Sequence, residues 1–339
     1  MEHTIDIKML PKGEIPPTPV TEPPDFSFVI PTYNRADMLR ALLKNLQSLH
    51  IPSGVTWEII VVDNRSADAT RMVVEELMRD AVLPLRYSFE PQQGAAHTRN
   101  NGVLASHGKI LAFIDDDETV DADWLIIIKS AFEHLRCSGV GGRVLPRWLE
   151  PPPDWYTTDG PYRIIGPVQD HDLGDEQRDY ALDSAMPLSG NLAVRRECFE
   201  KYGLFRTDLG PVGTSEYRMG EDTEFCLRLI KNGERLVYVP TAVTFNPVHT
   251  QRLTKRFCRR FYFRLGQSKG LLWTPRPGTP RIGGVPRHLF RSCAELVLAW
   301  VGATLRGSPR KRLYISFQIN HVMGEIYQHL YIRYRNGSV

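Results

Sequence analysis

Behind the apolar run from Ile110 to Ile114 stand four acids in a row, Asp115, Asp116, Asp117 and Glu118. Adjacent carboxylates repel one another, and buried ones either take up protons or need a cation. A solvated loop accounts for any one of them; four at a strand end call for a ligand. Residues two apart on an extended chain point the same way, so Asp115 and Asp117 are expected to share a task while Asp116 faces elsewhere. Hard oxygen donors of this kind suit Mg²⁺ or Mn²⁺, commonly held by one or two carboxylates together with substrate phosphates. An ion bridging a diphosphate reconciles acidic side chains with an anionic ligand.

Two more polar clusters follow apolar runs. Pro31-Thr32-Tyr33-Asn34-Arg35 comes after FSFVI, and Asp63-Asn64 ends WEIIVVDN. In an open parallel sheet, ligands bind beyond the carboxyl ends of the strands, so the three clusters are expected to converge on one crevice. Further on, GEDTEF places Glu221 and Asp222 at a helix start. Capping alone explains acids there. Together with the acidic run upstream, Asp222 reads as a general base with Glu221 beside it. A lone histidine is more often structural than a ligand; His249 in FNPVHTQR is the candidate, with His97 and His107 as competitors.

These groups need a scaffold, and the sequence describes one. Strand-like runs FSFVI, WEIIVVD, LRYSFE and KILAFID alternate with amphipathic stretches ADMLRALLKNLQSLH, ATRMVVEELMRD (Ser66 or Asp68 as cap) and AHTRNNGVLAS, and DADWLIIIKSAFEHL closes the series. Such alternation implies βαβ crossovers and a mostly parallel α/β sheet flanked by helices. The expected organisation is a flexible proline-rich lead-in over 1–25, a domain over 26–250 with a proline- and aromatic-containing insertion at 145–187, and a helical extension over 251–339. Order resumes after the insertion with SGNLAVRR, the helix EDTEFCLRLIKNG and the strand RLVYVP.

The 339 residues carry 42 Lys and Arg against 39 Asp and Glu, a balance that hides a division. Residues 251–339 hold 17 Lys and Arg against 2 Asp and Glu, so the first 250 hold 25 against 37. Five scattered cysteines with no C-x-x-C pair read as thiols of a reducing compartment. The amino-terminal stretch has no apolar core of a secretory signal, and a cytoplasmic location follows as the expectation.

The ordered set PTYNR, VVDNRS, GAAHTRNNG, FIDDD, SGNLAVRR and GEDTEFCLRL resembles the family 2 glycosyltransferases of GT-A fold over about Phe26 to His249. The resemblance implies inverting transfer of a sugar from a nucleotide-diphosphate donor, UDP foremost, to an acceptor hydroxyl of a glycan or lipid-linked glycoconjugate. By the same resemblance Pro31, Thr32 and Tyr33 line the nucleoside pocket, with Arg35 at its edge and Asp63 on the base. Gly94 lets the backbone approach the ligand, Arg99 meets nucleotide or phosphate, and Asp116 belongs to the donor site. Asp115 contacts ribose or metal, Asp117 is the main metal ligand, His249 a third ligand, and Asn191 lies under the transferred sugar or near the acceptor. Polymer-forming members carry Q-x-x-R-W after the base; HTQRLTKRF lacks the tryptophan, which favours transfer of single sugars.

Two other functions are weighed against this one. A sugar nucleotidyltransferase would need a glycine-rich G-x-G-T-R loop after the first strand, which PTYNR is not. A silent nucleotide-sugar-binding protein would have no use for Asp222 beside Asp115 and Asp117. From Leu253 on, Leu253, Phe257, Phe261 and Leu265 form an apolar stripe beside Arg256, Arg260 and Arg264. With Trp273 and the apolar 296–305 run, this extension is expected to rest on an anionic membrane surface, peripheral to the cytoplasmic face, or to hold a lipid-linked diphosphate. No RNA or DNA module motif occurs, and no nucleic acid partner is expected.

Overall fold

Alternate residues of the first strand part to opposite sides: Phe26, Phe28 and Ile30 enter one core, Val29 the other. That period of two is what a strand buried on both faces requires. The computed structural model describes residues 22–80, 82–212, 216–217, 219–273 and 278–335. Its elements run β1 (Phe26–Thr32), α1 (Ala36–Leu46), β2 (Trp57–Asp63), α2 (Thr70–Arg79), β3 (Leu85–Phe89), α3 (Ala95–Ala105), β4 (Ile110–Phe113), β5 (Thr119–Val120) and α4 (Trp124–His134). There follow β6 (Gly139–Trp148), β7 (Arg178–Asp179), β8 (Leu192–Arg195), α5 (Arg196–Tyr202), a small hairpin β9 (Pro211–Val212) and β10 (Glu216–Tyr217), α6 (Glu221–Lys231) and β11 (Leu236–Val248). The chain ends in α7 (Lys255–Leu272), the hairpin β12 (Arg281–Ile282) and β13 (Val285–Pro286), α8 (Arg287–Leu305) and α9 (Pro309–Arg335).

The main sheet has the order β3-β2-β1-β4-β8-β6-β11-β5, with β7 on β11. Its first four strands are parallel; β8 runs antiparallel between β4 and β6, and β6 and β11 are again parallel. The architecture is therefore a mixed, mostly parallel sheet between helices, as the alternation predicts. Helices α1, α2 and α4 cover one face through Leu39, Leu42, Leu43, Val74 and Trp124, while α3, α5 and α6 cover the other through Val103, Phe199 and Phe225. Neither Ser66 nor Asp68 caps the second helix, whose N-cap is Ala69 without a side-chain cap bond; Asp68 instead accepts from the Thr70 N–H at 3.0 Å in the turn before it. The strand expected at RLVYVP continues to Val248, because after an irregularity between Val239 and Val243 the chain resumes its pairing with β6 and takes up β5. That continuation delivers Asn246 to the crevice.

Most of the proline-rich lead-in lies outside the described residues, but its last member, Asp25, is fixed by Thr56 and an ion pair to Lys109 at 3.1 Å. The 145–187 insertion and the carboxyl-terminal helices share a third core, in which Tyr156, Ile164 and Val168 meet Leu253, Cys258, Tyr262 and Phe317. The buried stripe of α7 is Cys258, Tyr262 and Gly266, one residue beyond the predicted Phe257-Phe261-Leu265 stripe. Close helix contact, not side-chain bulk, sets this rotation: a Cβ on Gly266 would collide with the His321 carbonyl, and one on Gly324 with that of Phe263. Two small residues let α7 and α9 meet backbone to backbone.

Candidate active site

At the carboxyl end of β4 the chain turns instead of running on extended, with Glu118 N–H bonded to the Asp115 carbonyl at 3.1 Å. The rule that alternate residues share a side therefore fails here. Asp116 and Asp117 converge on Arg35, whose Nη1 lies 2.8 Å from Asp116 Oδ1 and 3.1 Å from Asp117 Oδ2. Asp115 turns the other way, to Arg99 at 2.8 Å. Asp117 also accepts from Asn246 at 3.3 Å and stands 3.5 Å from Arg252. Glu118 is buried with neither carboxylate oxygen hydrogen-bonded.

Burial and crowding set the protonation of this run. Asp116 is pushed up to about 6, first by desolvation and then by the Asp117 charge, against the pull of Arg35. Burial, with Asp115 and Asp117 beside it, raises Glu118 well above the usual carboxylate range. Carboxylates outnumber guanidiniums here: Asp115, Asp116, Asp117, Glu118 and Glu221 face Arg35, Arg99 and Arg252. The crevice is short of positive charge.

Arg99, on α3, is buried and spends both terminal nitrogens on protein: Asp115 on one side and Glu221, at 2.7 Å, on the other. The expected contact with nucleotide or phosphate is left to its Nε, which is buried without a partner. Glu221 is committed in the same way; it is buried against Arg99 and raised to about 7 by desolvation and the neighbouring Asp222 charge. Asp222 is only half-buried. Its Oδ1 accepts from Thr223 N–H at 2.7 Å and its Oδ2 from Ser189 N–H at 3.1 Å. A Gly220 at φ +98° starts α6, so three acids sit in a first turn where the helix dipole favours them.

The turn after β1 leaves Tyr33 exposed, Thr32 buried with an unpartnered hydroxyl, and Pro31 between them in exposure. Asp63, at the matching end of β2, accepts from Ser66 N–H and from the Tyr87 hydroxyl, both at 2.8 Å. Gly94 adopts φ +145°, open to glycine but strained for other residues, and its N–H donates to Asn64 Oδ1 at 2.8 Å. Asn64 also donates to the Glu90 and Gln92 carbonyls, so it fixes the loop leading into α3.

Asn191 has its side chain taken up inside the protein. Its amide donates to the Arg143 and Ala242 carbonyls at 3.0 and 2.8 Å while its oxygen accepts from Trp124 Nε1 at 2.9 Å, so the side chain is spent on tying β8 to its neighbours. The expected cage of Asp115, Asp117 and His249 is not assembled either: among the described residues no three His, Cys, Asp or Glu side chains gather to hold an ion. Arginines take the places instead. His249 Nε2 is nonetheless buried without a partner. His107 is instead paired with Glu58 and Arg86.

Arg252 and Asn246 escaped the sequence reading, as did the structural duty of Asn64. The one available signal was HTQR itself, where Arg252 follows His249 by three residues.

A family model described as Glycosyl transferase family 2 matches residues 27–203. The succinoglycan biosynthesis protein ExoM of Rhizobium meliloti (strain 1021) is 28% identical over 242 residues, covering 71% of this chain and 72% of its own. The glucosyl-dolichyl phosphate glucuronosyltransferase of Haloferax volcanii is 24% identical over 53% of this chain and 55% of its own. Among solved structures, the mannosyltransferase PcManGT from Pyrobaculum calidifontis in complex with GDP-Man and Mn²⁺ superposes with a TM-score of 0.58 at 18% identity, over 94% of this chain and 89% of its own. S. aureus TarS in complex with UDP-GlcNAc gives a TM-score of 0.51 at 15% identity over 92% of each. At such identities the likeness is one of fold.

Proposed function

The chain belongs to glycosyl transferase family 2 and is a glycosyltransferase of GT-A fold, and on that footing we propose that it moves single sugars from a nucleotide-diphosphate donor, UDP foremost, to an acceptor hydroxyl with inversion. The observation that carries the reading is the link made by Arg99: one buried guanidinium joins Asp115 of the acidic run to Glu221, next to Asp222. A diphosphate-binding element and a carboxylate base thereby become neighbours although 107 residues separate Asp115 from Asp222.

In this mechanism Asp222 takes the acceptor's proton as its oxygen attacks the anomeric carbon, and Ser189 N–H keeps the carboxylate in place. Pro31, Thr32, Tyr33 and Asp63 hold the nucleoside, and Gly94 shapes the loop beside it. Arg35 and Arg252, at the rim of the acidic run, face the departing diphosphate. The excess of carboxylates and the orphaned His249 Nε2 fit a divalent cation, Mg²⁺ or Mn²⁺, which Asp117 would hold with His249 as a further ligand, Asp115 being committed to Arg99. When bound it supplies positive charge for the leaving group. Structural neighbours solved with Mn²⁺, PcManGT and GalNAc-T7, support that reading.

The catalytic unit is 26–250, its 145–187 insertion reading the acceptor. Relatives named for succinoglycan biosynthesis and for glucosyl-dolichyl phosphate support a glycan or lipid-linked acceptor in polysaccharide or glycolipid assembly. Among the described residues no helix is long and apolar enough to cross a membrane. The attachment proposed for the basic 251–339 segment is peripheral, at the cytoplasmic face. Asp222→Asn keeps the size of the side chain but not its basicity, and gives up one of the two N–H bonds that the carboxylate accepts. Transfer should fall by about a thousandfold, within the range for losing a general base, while donor binding by calorimetry stays within about twofold. A variant that transfers at the full rate removes the base.

A further inference from the structure

A second concavity lies away from the acidic crevice, where the insertion meets the carboxyl-terminal helices. It encloses about 480 Å³ between Trp155 and Trp300 and is lined by Lys255, Arg259, Arg310 and Arg312, with Asp154 as its single acid. No ion pair joins any of these four cations to a carboxylate among the described residues; Lys255 instead lies over the Trp155 ring at 5.6 Å. Everywhere in the crevice an arginine has its acid. Here the positive charge is left over.

Beside the pocket, α8 shows an apolar face to solvent. Phe290, Val297, Leu298, Val301 and Leu305 fall within roughly 100° of one another at 3.6 residues per turn. Leu298 is 72% exposed and Leu305 82%, whereas Leu289 and Ala303 on the far side are buried. The only acid on the helix, Glu295, is paired with Arg291 at 2.7 Å. Arg287 and Arg291 flank the face at one end, Arg306, Arg310 and Lys311 at the other. An apolar helix face bordered by cations suits the interface of an anionic bilayer.

Resting on the transferase reading above, we infer that α8 lies in the bilayer surface and that the Trp155–Trp300 pocket takes the phosphate or diphosphate headgroup of a lipid-linked acceptor. Because the chain emerges from Arg252, which touches Asp117, directly into α7 with Lys255 and Arg259, cations lead from the acidic run to the pocket. A lipid headgroup held there presents its sugar toward the crevice. The occupant is argued from charge: a neutral protein face would not call for four unpaired cations beside an apolar helix.

The test uses the full chain and four vesicle or ligand arms: phosphatidylcholine; phosphatidylcholine with phosphatidylglycerol; phosphatidylcholine with a polyprenyl diphosphate at matched charge; and a short single-stranded oligonucleotide. The proposal expects sedimentation with polyprenyl diphosphate vesicles at least about tenfold tighter than with phosphatidylglycerol vesicles. Arg310→Ala with Arg312→Ala should erase that preference, and Leu298→Ser with Leu305→Ser should weaken both anionic arms. Equal binding to the two anionic vesicles in wild type and variant, tighter binding of the oligonucleotide, or a dimer dispersed by the leucine changes each overturns it. Nucleotide-sugar binding, measured on every variant, separates the two readings: donor binding without lipid preference sinks the pocket alone, and loss of donor binding in the wild type sinks the transferase.

Discussion

The acidic crevice and the helical platform handle charge in opposite ways. In the crevice, Arg99 is buried and its ion pairs are 2.7 and 2.8 Å long, so the cations there belong to the architecture. On the platform, Lys255, Arg259, Arg310 and Arg312 sit around a cavity without acids of their own apart from Asp154. A charge already matched inside the protein builds the site; a charge left unmatched beside an apolar face is available to something outside it. Counting arginines would not distinguish the two, and the same residue type does different work in each.

Breaking the crevice should be the costlier experiment. Arg99→Ala strands Asp115 and Glu221 without their partner, and loss of one member of a buried ion pair costs about 3–5 kcal/mol. A large fall in melting temperature is expected, and a shift equivalent to less than about 1 kcal/mol would place the carboxylates in contact with water. The platform should fail locally. Gly266→Ala forces α7 off the His321 carbonyl, at about 1–3 kcal/mol for overpacking. Hydrogen exchange should rise in α7 and α9 while β1, β2 and β4 keep their protection; uniform loosening would make the platform part of one cooperative unit with the sheet.

A third response to burial is neutrality, and its effect appears only as the pH falls. His171, within the insertion, is buried against Tyr180 and lowered to about 4 by desolvation. The unfolded chain takes up that proton below about 6.5, the folded one only near 4, so the group's stability is present above 6.5 and lost as pH falls toward 4. Relative to His171→Gln, the wild type should lose about 3 kcal/mol across that window at most. Parallel pH curves for the two would mean the imidazole is solvated.

The sheet was legible because its strands are continuous apolar runs set off by helical stretches, and helices such as α1 carry their stripe openly. The acidic run was legible as a cluster, since four neighbouring carboxylates are visible in any reading. What each acid does was not, because the partners are remote: Arg99 meets Glu221 across 122 residues, and Asp117 meets Asn246 across 129. The turn at Asp116 defeated the extended-chain rule. Asn191 stands under the sugar or near the acceptor by resemblance alone, yet Trp124 and two carbonyls claim it. The face of α7 was misjudged by one position because glycine contacts leave no hydrophobic signal.

The most direct test is nucleotide diphosphate release from UDP-, GDP- and TDP-sugars, each with Mn²⁺ or with EDTA, for the wild type and Asp117→Ala. The account predicts release from one donor, lost by at least about a hundredfold on chelation and in the Asp117 variant. Silence across the whole panel, with no donor binding by calorimetry, would contradict it.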